Sequence, residues 1–86
     1  MSNEFAFVLQ TKEYEYLYDI EERIRHPHSD NEKYYLRKNK KTGQVEKCDA
    51  DEIIDILKNH PDRILSKCPC TVLTEEGRLR PLVEDT

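Results

Sequence analysis

The sequence predicts one small α+β domain. Its elements run in the ferredoxin-like β-α-β-β-α-β order, with an extra strand toward the C-terminus. Three observations predict it. Apolar residues come in short periodic groups rather than one long run. Two isolated glycines, Gly43 and Gly77, each separate stretches that read as paired strands. The stretch "DADEIIDILKNH" carries a cap, a helical period and a stop together. A winged helix is the alternative, with 50–59 and 61–67 as a helix-turn-helix and 70–83 as the wing. Pro69 cuts that recognition helix short, and its only basic residues are Arg63 and Lys67, so the sheet is preferred.

"FAFVL", Phe5 to Leu9, is a continuous apolar run of strand length, expected to be buried on both faces. "TKEYEYLYDIEERIRH" follows and predicts the first helix. Thr11 suits its N-cap, Glu13 and Glu15 suit the positive end of its dipole, and Leu17, Ile20 and Ile24 share one stripe. A strand competes here, because Tyr14, Tyr16, Tyr18 and Ile20 also alternate with period two. The polar run Glu21–Glu22–Arg23 and the spacing to Ile24 favour the helix. Pro27 makes His26 to Glu32 a loop.

A hairpin then spans 33–38 and 44–48 around Gly43. Asp49 caps the second helix, Glu52 occupies the capping-box position, and Ile53, Ile54 and Leu57 form its apolar face beside Ile56. Pro61 ends it, and "DRILSK" adds a turn carrying Ile64 and Leu65. A second hairpin, "CTVLT" and "RLRPLV" about "EEG", closes the chain, with Pro81 confining its last strand to an edge.

Eighty-six residues make a single domain, 1–86, with 1–4 and 84–86 expected to fray. A chain this short buries roughly 60–65% of its unfolded surface. At 36% hydrophobic and 37% charged residues the core is lean, and there is little room for a deep cleft. The formal charge of −4 argues against general affinity for nucleic acid or membranes. Charge is nonetheless polarised. Residues 33–47 hold six basic groups against Glu46, and 13–22 hold five acids and no base. No stretch has the length and apolarity of a signal peptide or membrane span. Three cysteines, an odd number, fit a reducing compartment, so the chain is expected to be cytoplasmic with free thiols.

The stretch "SKCPCT" raises the question of a metal or redox site. Structural zinc takes four ligands, usually from spacings that preorganise pairs, and neither His26–His28 nor Cys68–Cys70 has such a spacing. In the predicted topology only His60, Cys68 and Cys70 could converge, one ligand short. Packing is the expected role, with Cys68, Cys70 and Val72 on one face of a strand. No metal and no cofactor are expected.

Catalysis finds no pattern: the glycines are isolated, and no serine or cysteine lies near a histidine at a nucleophile spacing. The sequence therefore predicts a small non-enzymatic protein-binding module, a stoichiometric regulator or inhibitor of a larger protein, itself acting as a monomer or weak dimer. Its expected contacts are Glu13, Glu15, Tyr16, Tyr18 and Glu22 on an acidic aromatic helix, with Tyr18 the ring most exposed. The alternative is nucleic-acid binding through Arg37, Lys38, Lys40 and Lys41, which would also serve as a second protein contact.

Overall fold

Phe5–Gln10 (β1) and Tyr14–Asp19 (β2) form an antiparallel pair joined by a turn that Thr11 holds. The Thr11 amide donates to the Tyr14 carbonyl (2.8 Å) and the Thr11 hydroxyl accepts from the Tyr14 amide (3.3 Å). This computed structural model describes residues 5–80. The expected fraying of 1–4 and 84–86, and the part of the expected last strand "RLRPLV" from Pro81 onward, lie outside the described residues.

The first half of the helix expected from the Thr11 cap onward is thus a strand, Tyr14–Asp19. Period two wins because alternation puts Tyr16 and Tyr18 on one buried face, where aromatic rings suit a pleated surface. Helix begins only at Ile20–Arg25 (α1), with Asp19 rather than Thr11 as its N-cap, accepting from the Glu22 amide at 3.1 Å.

A 3₁₀ turn, Asn31–Tyr34, leads into Tyr35–Asn39 (β3) and Val45–Lys47 (β4), the expected basic hairpin. Gly43, at φ +78°, supplies the left-handed turn residue, and its amide donates to the Asn39 carbonyl. Ala50–Asn59 (α2) follows, then a 3₁₀ turn at Pro61–Arg63 and the two-residue strand Ser66–Lys67 (β5). The winged-helix alternative needs a recognition helix over 61–67, where only the 3₁₀ turn and β5 form. Asp49 does cap α2, but its side chain makes no capping bond, and Glu52 is directed to Arg37 rather than back to the cap.

The sheet has five strands in the order β4-β3-β2-β1-β5, every pair antiparallel. Element order is strand, strand, helix, strand, strand, helix, strand, so the α+β class holds while the ferredoxin-like order is replaced by a four-strand meander with β5 added beside β1. The second hairpin is reduced to one bridge, Leu73 to Leu79, about a turn in which Gly77 has φ +82°.

The core lies between the sheet and α2. Val8, Leu9, Tyr16, Tyr18 and Tyr35 from the strands meet Ala50, Ile53 and Ile56 from the helix, with Leu79 closing one side. The Tyr18 and Tyr35 rings, paired in register, are 4.9 Å apart and tilted by 59°. A bulge between Phe7 and Leu9 turns both Val8 and Leu9 inward, two buried side chains where strict alternation allows one.

A candidate interaction face on the open side of the sheet

Alternation that buries Tyr16 and Tyr18 must turn Leu17 the other way. Register extends this across three strands: Leu17 stands opposite Phe7 on β1 and Leu36 on β3. Val45 and Lys47 of β4 share that side, since Glu46 between them reaches toward α2 through Arg37. Phe7, Leu17 and Leu36 are half-buried, yet none belongs to the core cluster or packs against it. Phe5 and Val45 are 42% and 50% exposed. The expectation that β1 is covered on both faces therefore fails.

Overall dimensions agree. The molecule measures 34 × 34 × 19 Å, and its least dimension fits a sheet and one helical layer at a spacing of about 10 Å. Among the described residues the second face of the sheet has no covering element. It presents an apolar row, Phe7–Leu17–Leu36, beside a row that pairs Gln10 with Glu15 and Lys38 with Val45.

On the covered side, Arg37 ties the hairpin to α2. Its Nε donates to Glu46 Oε1 (2.6 Å), its Nη1 donates to Glu52 Oε1 (2.7 Å), and its guanidinium lies 4.8 Å from the centre of the Tyr14 ring. Both carboxylates favour the charged guanidinium and push its pKa up. Glu52 Oε2 is buried without a close hydrogen-bond partner among the described residues. Burial, and after it the neighbouring Glu52 carboxylate, hold the Tyr16 phenol well above its ordinary pKa. The same two causes push the Cys48 thiol up to about 12, which keeps it protonated and a poor nucleophile near neutrality. Arg37 and Glu52 also wall two open depressions. One, about 490 Å³, reaches Lys33, Lys47 and Asp49; the other, about 220 Å³, reaches Glu13, Tyr14 and Arg63.

The residues singled out from the sequence do not form one surface. Tyr16 and Tyr18 are 3% and 0% exposed, which corrects the expectation that Tyr18 presents its ring to solvent. Glu13 lies in the β1–β2 turn, bonded to Arg63 at 3.0 Å. Glu15 stands on the open face, and Glu22 is on α1, bonded to Arg25 at 3.1 Å. Of the basic group, Arg37 is committed to the clasp. Lys38 shares the open face with Glu15, while Lys40 Nζ donates to the Gln10 side chain from the hairpin turn. Lys41 is exposed at the same turn.

"SKCPCT" begins as β5 and then turns against β1. The Cys68 amide donates to the Val8 carbonyl (2.9 Å), and the Thr71 amide closes back on the Cys68 carbonyl (2.9 Å). Thr71, not Cys70, is the buried residue, its hydroxyl donating to Val8 O at 2.9 Å. Cys70 is exposed and Cys68 half-buried, so the shared packing face expected for both cysteines is not formed. Among the described residues no three His, Cys, Asp or Glu side chains are grouped to hold a metal ion. His60 instead lies 3.6 Å from Asp55. Among the described residues no helix is long and apolar enough to cross a membrane.

Phe7, Leu17, Leu36 and Val45 are the residues that sequence reasoning missed as a group. The signal was present: once Tyr16 and Tyr18 are assigned to a strand's core face, Leu17 belongs to the opposite one. Comparison of the chain with protein-family models, curated proteins and solved structures finds no match, so fold and site rest on the chain's own chemistry.

Proposed function

We propose that this chain is a non-enzymatic protein-binding module that acts by stoichiometric contact through the open face of its sheet. The observation that carries the reading is the Phe7–Leu17–Leu36 row, three directly paired apolar side chains outside the core. A contiguous apolar patch with a polar rim is what a protein interface requires, and charged neighbours such as Glu15, Lys38 and Lys47 confer register more than affinity. In this reading a cytosolic regulator or inhibitor occludes a larger protein by laying this face on it. The acidic helix envisaged from the sequence gives way as the docking element, because its tyrosines are core residues.

A second reading, contact with nucleic acid, is supported by Lys38 and Lys47 sharing a face with Phe7, with Lys40 and Lys41 at the adjacent turn. One experiment separates the two: capture from native cell lysate, split into nuclease-treated and untreated halves, with wild type and Leu36→Asp as baits. A protein retained by wild type in both halves and lost with Leu36→Asp supports the protein-binding reading. Retained nucleic acid, with partners lost after nuclease, supports the second. Capture indifferent to Leu36→Asp contradicts both uses of the face.

A further inference from the structure

We infer that the open face is self-complementary and that a second copy of this chain covers it when no other partner does, a step that rests on reading the face as a contact surface. Charge pattern, and not apolarity alone, makes the face self-complementary. Glu15 and Lys38 are register partners on β2 and β3, next to Leu17 and Leu36 on the same face. A two-fold axis parallel to the strands and midway between β2 and β3 exchanges those strands. Glu15 of each copy then faces Lys38 of the other, twice, and Leu17 faces Leu36, twice. One strand further out, Phe7 of β1 meets the Lys47 stem of the facing β4.

Packed sheets lie about 10 Å apart, a gap that a glutamate and a lysine bridge together. The competing axis, running across the strands through Leu17, is unfavourable. It brings Glu15 toward Asp19 of the other copy, acid against acid, since alternation along β2 puts both on the side of Leu17, Asp19 there also capping α1. The face also sets the strength. Four strands at about 4.8 Å and some five residues at about 3.3 Å give on the order of 300 Å² in plan, below the roughly 800 Å² per partner of a standard interface. Self-association is therefore weak and concentration-dependent, and a tighter partner displaces the second copy.

Sedimentation velocity on the full chain from about 10 to 500 μM tests this, with Glu15→Lys and Lys38→Glu measured alone and as an equimolar mixture. Circular dichroism checks that each variant is folded. The expected result is a wild-type monomer–dimer equilibrium in the micromolar range, weakened about tenfold or more in each variant alone. Mixing restores it, because every lysine again faces a glutamate across the axis. A wild type that stays monomeric throughout, or a mixture that associates no better than its components, overturns the second copy. If the wild type is monomeric while Leu36→Asp still abolishes lysate capture, the contact reading stands and only self-association fails. If the wild type dimerises while capture ignores Leu36→Asp, the foreign partner fails and the dimer stands.

Discussion

Arg37 on β3 and Glu52 on α2, fifteen positions apart in the chain, meet at 2.7 Å, and Glu46 on β4 holds the same guanidinium at 2.6 Å. One side chain thus joins both strands of the hairpin to the helix that covers the sheet. Solvent reaches both partners (27% and 36% exposed), so the Arg37–Glu52 coupling should be modest, about 1 kcal/mol. A double-mutant cycle with Arg37→Met and Glu52→Gln, read by urea unfolding, should show that coupling. Effects that add within about 0.3 kcal/mol would mean the pair contributes nothing as a pair.

Alkali should destabilise the fold earlier than acid–base balance at the surface would suggest. Burial raises the pKa of Tyr16, Tyr35 and Cys48 in the folded chain, with Cys48 at about 12. The unfolded chain therefore releases these protons first. Their contribution is intact below about pH 9 and is lost as pH rises, by up to about 1.4 kcal/mol per pH unit for each titrating group. Urea midpoints should hold steady up to about pH 9 and fall above it. Tyr16→Phe should flatten the fall, and a profile of unchanged steepness would contradict the assignment.

Thr71 and Cys70 are neighbours with opposite weight. Thr71→Val removes the buried hydroxyl that donates to Val8 O, a carbonyl that keeps the Cys68 amide. A loss of about 1 kcal/mol is expected. Cys70→Ser, at an exposed position, should stay within about 0.5 kcal/mol of wild type. Chemical denaturation of the two variants side by side checks this, and the reverse order would place Cys70 in the core.

Gly43 and Gly77 both have positive φ, but only one has a neighbour in the way. A Cβ on Gly43 meets nothing within 4 Å, whereas on Gly77 it meets Lys58 Nζ at 2.6 Å, the movable end of a side chain. Alanine at Gly43 should cost about 1 kcal/mol from the left-handed backbone alone, and at Gly77 the same or slightly more. Thermal unfolding of both variants measures the difference.

Much of this was legible in the sequence. The hairpin around Gly43 and the helix from Ala50 to Asn59 were, because each carries its own turn or cap chemistry. The stretch from Tyr14 to Ile20 was not, because it satisfies both a two-residue and a 3.6-residue period. Only its neighbours decide: β1 and β3 are available on either side, and α2 needs a broad aromatic floor. That one choice moved Tyr16 and Tyr18 from expected anchors to core and turned Leu17 to the open face. Glu52 misled for a related reason. Its position fits a local capping box, but the distant Arg37 is the stronger partner for its carboxylate.

Leu17 faces out of a sheet that, among the described residues, is covered on one side only. Leu17→Lys, with Tyr18→Lys as its control and both followed by urea unfolding in dilute solution, tests that placement. Leu17→Lys should keep the native circular dichroism spectrum and lose no more than about 1 kcal/mol, while Tyr18→Lys should fail to fold. A Leu17→Lys protein that unfolds as readily as Tyr18→Lys would place Leu17 in a core and leave the sheet without an open face.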